Sequence, residues 1–530
     1  MISRRSVAKG FSCLWAAALT APIGHFARAA SLPAGSADEV RAVHALNRLA
    51  YGPRPEDMAE IRRLGANAWL ASFVDAQFEP QSLALPASLQ ARLSGLETQQ
   101  LSQAELLARF RRVLQAAAAA PAAAAAAAQN PSAPQPEEAL AAARRQYVRP
   151  VALQAAQARL ARAIESPAQL QEVLVEFWFN HFNVFVGKGP VSVLAGSYER
   201  EAIRPYVMGR FRDMLGATAK HPAMLFYLDN AQSVRPDYRA PALLAAVNPN
   251  AARPSGLNEN YARELMELHT LGVDAGYTQQ DVTELARMLT GWGVDARAAR
   301  QGRTGSLFVF DPSRHDAGTK HWLGHTVQPA GQAEGEMALD VLASHPATAR
   351  HIGFKLAQAF VSDQPPVALV TRLADRFLAS QGDLKAVMRE LVAAEEFWQH
   401  DHYGAKFKTP YQYLISSLRA LGAPTPADVQ PMLQLLAQAG MPLYGAPTPD
   451  GFKNVAGAWM NPEALAQRVQ FATSLSERRA RQGARTEADA QRLIDTLGAL
   501  LGPATRQAVV AEPAPMRLAL LLSSPEFMKR

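Results

Sequence analysis

Val282, Leu285, Ala286 and Leu289 recur at i, i+3, i+4 and i+7. That interval gathers all four on one side of an α-helix and would scatter them over both faces of a strand. Just upstream, Tyr261, Leu265 and Leu268 keep the same rhythm, with Asn258 as an N-cap and Gly272 as a stop. Thr278, with Asp281 three residues on, caps the second run, and Gly291 ends it. Residues 258–292 therefore predict a helical hairpin. Helical spacing also marks 38–80, 137–186, 198–230 and the chain from Ala338 onward. With 530 residues and 48% hydrophobic content there is enough apolar surface for a large core. The predicted fold is mainly α: a multi-helix globular body with a small β-hairpin element, as one large or two closely packed helical domains. The hairpin is expected at 307–325, LFVFDPSRHDAGTKHWLGH, as strand, bend at His315-Asp316 and returning strand.

Two stretches fall outside that pattern. Residues 115–136, QAAAAAPAAAAAAAQNPSAPQP, are low in complexity and broken by prolines, and read as a mobile insertion between helices. Residues 1–29 read as a targeting segment of the twin-arginine type. Arg4-Arg5 precede an apolar stretch, Phe11 to Ile23, too short to span a bilayer, and Ala27-Arg28-Ala29 offers a cleavage site. An ordinary secretory signal that contains two arginines is the alternative. Both predict an exported bacterial protein, periplasmic or secreted, with no transmembrane helix in the mature chain. Cleavage removes four cations and no acid, so the net charge falls from +7 to +3, which gives a nucleic-acid partner little support. Cys13, the one cysteine, leaves with the segment. Any metal in the mature protein must then be held by His, Asp, Glu or carbonyl groups.

Chemistry-bearing residues concentrate in three places. Asn260, Glu264 and Glu267 form a polar stripe flanking the apolar face of the first central helix, next to Arg263. His269 is rotated away from both glutamates, so ELMELH is not a single-helix metal clamp of the HExxH kind. In FWFNHFNVF, Asn180 and His181 stand among Phe177, Trp178, Phe179, Phe182 and Phe185, where a buried histidine needs a partner. His315 and Asp316 at the bend, with Lys320, make a further cluster. Each has a plain structural reading: ion pairs of Glu264, Glu267, Arg263, Glu284 and Arg287 registering two helices, a satisfied core histidine, a turn-capping aspartate. The catalytic candidates are His181, Glu264, Glu267, His315 and Asp316, and the substrate-binding candidates are Asn180, Asn260, Arg263, Lys320 and Trp292. If they converge, they suit proton transfer or a divalent metal bound by His, Glu and Asp.

LNRLAYGP, FWFNHFNVF, HPAMLFYLDN, the 258–292 stretch, HDAGTK, KTPYQYLISSLRALG and the PDGF…W…R tail follow one another in an order that resembles the DUF1800 family of exported bacterial proteins. The resemblance spans residues 38–526, with the Ala/Pro insertion falling between motifs. It implies a mostly helical secreted protein, often encoded beside a DUF1501 protein whose fold is similar to sulfatases. It implies no reaction, so no catalytic residue carries over. Two expectations follow: a metal-assisted or acid–base hydrolase acting on an envelope or extracellular polymer, or a non-catalytic binding or scaffold protein working with an exported DUF1501-like, sulfatase-like partner.

Overall fold

A computed structural model describes residues 36–127, 136–239, 256–302, 305–481, 486–498 and 500–530. The predicted targeting segment lies outside the described residues. The fold is mainly α, with two two-stranded antiparallel sheets among the described residues. The elements that position the site are α1 (Ala37–Leu49), α2 (Gln103–Ala127), α3 (Pro136–Glu165), α4 (Gln169–His181), α5 (Asn260–Glu267), α6 (Gln279–Met288), α7 (Gln332–Ser344), α8 (Pro346–Phe360) and α9 (Pro410–Ala420). No helix of the described residues is long and apolar enough to cross a membrane.

Local signals account for the helix ends. Thr278 and Asp281 cap α6 reciprocally: the Asp281 N–H donates to Thr278 Oγ1 at 3.2 Å, and the Thr278 N–H donates to Asp281 Oδ2 at 2.8 Å. Helix α5 starts one residue later than expected, with Glu259 at the N-cap, because Asn258 Oδ1 accepts the Asn260 N–H at 2.9 Å from outside the helix. Helix α2 runs to Ala127, well into the stretch read as an insertion. Alanine has the highest helix propensity, so the alanine run continues the helix; residues 128–135 lie outside the described residues.

One hydrophobic core runs from Leu49 to Met528 and takes in Leu265, Met266, Leu285 and Leu289, and a smaller cluster sits under α1. Each fully buried leucine contributes roughly 1.5–3 kcal/mol. Helix α9, PYQYLISSLRA, is buried along its entire length, so its polar groups must find partners inside. Ser416 donates to Tyr51 O at 2.8 Å, Arg419 Nη1 to Ile164 O at 3.1 Å, and the Tyr413 hydroxyl lies 3.1 Å from both Arg468 O and Leu522 O.

The β elements correct the expected hairpin. Strand β1 (Trp292–Val294) pairs with β2 (Phe308–Phe310), Trp292 opposite Phe310, while β3 (Lys320–Trp322) pairs forward with β4 (His325–Val327), Lys320 opposite Val327. The reason is local. Leu323 and Gly324, at φ +46° and +78°, form the two-residue turn with both φ values positive that a tight hairpin requires. His315 and Asp316 consequently lie between two hairpins instead of at the tip of one.

Candidate functional site

Helix α4 ends in Asn180 and His181, and both asparagines of its FNHFN motif reach a loop formed by residues 442–455. The Phe452 N–H donates to Asn180 Oδ1 at 2.7 Å, and Asn180 Nδ2 donates to Phe452 O at 2.9 Å. Asn183 Nδ2 donates to Ala446 O at 3.0 Å and Thr448 O at 2.8 Å. Gly451 makes this approach possible: at φ +67°, an added Cβ would lie 2.4 Å from the Asn180 carbonyl oxygen. The loop so fixed carries Asp450, ion-paired with Lys453 at 2.6 Å.

Next to Asn180 in sequence, His181 stands at the centre of three histidines. The His181 ring centroid is 6.3 Å from that of His269 and 6.1 Å from that of His351. His181 Nε2 lies 3.1 Å from His269 O, which makes Nε2 the protonated nitrogen. Burial pushes all three below the ordinary imidazole range, His269 to about 3 and His351 to about 4, with Lys355 adding to the effect on His181 and His351. They are uncharged at neutral pH. Lys355, one turn after His351 on α8, has no hydrogen-bond or ion-pair partner among the described residues. Burial and then Lys453 hold its ammonium below the usual range, with Asp450 opposing.

Of the α5 carboxylates, Glu264 feels the charge of Asp450 on the 442–455 loop. Glu264 is half-buried, and its carboxyl has no partner among the described residues. Burial, then Glu267, and further Asp450 raise it above the ordinary range, against Arg263. For Asp450 burial acts upward too, but hydrogen bonds from Lys453 and Thr448 outweigh it and hold the group below its usual range. Glu267 accepts from the Tyr277 hydroxyl at 3.3 Å. Asn260 is exposed, and Arg263 turns to Glu259 at 3.3 Å and Gln279 at 2.8 Å, which leaves Glu264 as the carboxylate of the stripe without a hydrogen-bond partner among the described residues.

His315, Asp316 and Lys320 belong to a separate and fully paired network. His315 Nε2 lies 3.0 Å from Glu334 Oε1 and its Nδ1 2.9 Å from Thr290 O. Lys320, fully buried, pairs with Glu334 at 2.5 Å and donates to Asp316 O. Arg287 grips Asp316 at 2.9 and 3.0 Å and Glu284 at 2.8 Å. No hydrogen bond, ion pair or ring contact among the described residues joins this network to the His181–Glu264 group, so the five catalytic candidates stand in two places. Trp292 is fully buried, its ring 5.0 Å from that of Phe308 and so close to Gly335 that an added Cβ would lie 2.4 Å away. It belongs to the core and has no face open to a substrate.

The family model described as Protein of unknown function (DUF1800) matches residues 44–529, nearly the whole chain. The protein is a member of the DUF1800 family. No curated protein and no solved structure matches it. In this DUF1800 chain the inner site combines two sequence candidates, His181 and Glu264, with three residues that sequence reasoning passed over: His351, Lys355 and Asp450. A signal existed for each. His351 and Lys355 are four apart in RHIGFKLAQAF, a helix apolar enough to bury both, and Asp450 precedes Gly451 in the PDGF motif, where positive φ marks a built turn.

Proposed function

We propose that this DUF1800 protein is an exported hydrolase that cleaves an envelope or extracellular polymer by proton transfer between carboxyl groups. One observation carries the reading: the half-buried Glu264 carboxyl, without a hydrogen-bond partner among the described residues, feels the charge of Asp450 and is held above its usual range, while Asp450 is held below. Carboxyls whose surroundings push them apart can divide the roles of acid and base. Glu264, the carboxyl held higher, takes the part of the acid and gives a proton to the leaving oxygen. Asp450, ionised, takes a proton from the attacking water, whose oxygen bonds to the electrophilic carbon. The three uncharged histidines wall the site without adding charge, and Lys355 supplies a cation where negative charge develops. Among the described residues no three His, Asp or Glu side chains are grouped to hold a metal ion, so no step is assigned to one. Export rests on the Arg4-Arg5 segment.

The test is release of soluble fragments from a panel of bacterial envelope polymers by the purified mature protein, wild type against Glu264→Gln. The expected loss is on the order of 10²-fold or more, with the circular dichroism spectrum unchanged. Equal rates would remove Glu264 from the reaction.

A second reading, a non-catalytic scaffold holding an exported DUF1501-like, sulfatase-like partner, draws on a different observation. Glu259, Arg263, Gln279 and Thr283 hydrogen-bond one another between α5 and α6, as ion pairs that merely register two helices would. Under it, no polymer is cleaved, and Glu264→Gln leaves capture of the partner unchanged.

A further inference from the structure

Three of the buried arginines form no ion pair with a carboxylate among the described residues. Arg48, Arg468 and Arg530 are 0%, 1% and 5% exposed, and Nε and Nη1 of Arg48, Nε and Nη1 of Arg468 and Nε of Arg530 have no hydrogen-bond partner. An arginine cannot shed its charge as a buried lysine can, so each needs compensation from its surroundings. Arg468 has it. Its guanidinium lies 4.4 Å from the Phe407 ring centroid and 5.2 Å from that of Tyr413, and it donates to Lys408 O at 2.7 Å. Arg48 and Arg530 have only one carbonyl each, His402 O at 2.5 Å and Ala359 O at 2.9 Å.

These two meet at the C-terminal end of α8. The backbones of Arg530 and Lys406 bond each other in both directions, at 2.8 and 3.2 Å. The Lys406 ammonium is buried, pairs with Asp363 just beyond α8 and donates to Asn454 O at 2.6 Å. Asp363 is thus ion-paired with Lys406, and its charge also acts on Arg48 and Arg530. Asp363 is engaged already, by Lys406 and by the Ala456 N–H at 2.7 Å. The other acid that acts on Arg530, Glu176, is engaged too: it accepts from the Tyr51 hydroxyl at 2.9 Å and from Gln412 Nε2 at 3.4 Å.

We propose that Arg48, Lys406 and Arg530 hold a buried tetrahedral oxyanion, phosphate or sulfate, that ties α1, the end of α8 and the C-terminal segment together. An oxyanion suits the place because donors arriving from separate elements need several acceptor oxygens at once, which a halide does not offer. The site is independent of the hydrolase reading.

The experiment uses the full mature protein prepared in chloride buffer free of phosphate and sulfate. Ion chromatography of the denatured protein counts the anions it carries, and calorimetric titration with inorganic phosphate and with sulfate measures binding. Thermal melts compare each with chloride at equal ionic strength. The expected result is one oxyanion per chain, retained or bound on titration, with a melting temperature several degrees above that in chloride. Arg48→Met, or Arg48→Lys where the methionine variant does not fold, weakens binding at least tenfold, and the exposed control Arg63→Ala leaves it unchanged. No retained oxyanion together with no phosphate- or sulfate-specific shift overturns the proposal. So does a shift of full size in the Arg48 variants.

Discussion

Asn180 spends its whole side-chain amide on the backbone of one residue, Phe452. Removing it leaves a buried carbonyl and N–H unmatched at the loop that carries Asp450. Asn180→Ala is predicted to cost about 2 kcal/mol, from two hydrogen bonds at roughly 1 kcal/mol each, measured by urea denaturation, and to speed hydrogen exchange at the Phe452 amide. This role was half legible. A polar residue among five aromatic rings signals an internal partner, but the partner is 272 residues away, and sequence spacing cannot name it. Glu264 was visible because a carboxylate beside an apolar helical face must be partly enclosed. Lys355 was not, because a lysine on a helix ordinarily reaches solvent; the charges that act on it, Lys453 and Asp450, lie nearly a hundred residues on.

At the scale of elements, the sequence located helices well where caps and apolar spacing agreed, as at Thr278, Asp281 and the face from Val282 to Leu289. It erred where short strands had to choose partners. Residues 308–310 and 320–322 do form strands, but pairing follows turn chemistry, and Leu323-Gly324 supplies a tighter turn than the His315–Asp316 segment. That segment is held instead by Glu334, which serves three clients at once. It accepts from the Ala330 and Gly331 N–H groups at 2.9 and 3.1 Å at the start of α7, pairs with Lys320 and meets His315. Glu334→Gln keeps the shape and removes the charge, which leaves the enclosed Lys320 with only Asp316, at 3.9 Å, as counter-ion. The predicted loss is about 3–5 kcal/mol, read as a lower urea midpoint. A loss within about 0.5 kcal/mol would show that the network contributes little to stability.

For the molecule as a whole, the fold class was legible because helical spacing recurs along the chain, whereas the convergence of segments was not, because it depends on how the helices pack. Packing also sets the acid response. His44 and His181 are held well below the ordinary imidazole range, His221 and His269 at about 3 and His351 at about 4, chiefly by burial. An unfolded histidine takes a proton near pH 6.5. Between that pH and the lower folded values the unfolded chain binds more protons, so the stability is present above pH 6.5 and is lost as pH falls. At pH 5 the loss is about 2 kcal/mol each for His221 and His269. Glu176 and Glu264, raised in the fold, work in the opposite sense and recover part of it. Urea midpoints should therefore fall steadily from pH 7 to pH 5; midpoints that stay level or rise would show these imidazoles to be charged in the folded protein. The proposed chemistry rests on one carboxyl, and its titration is the most direct test. Carbon-13 NMR of protein labelled at glutamate Cδ, with Glu264→Gln to assign the signal, should show Glu264 titrating above the ordinary 4.5. A Glu264 signal that titrates at 4.5 or lower would contradict the account.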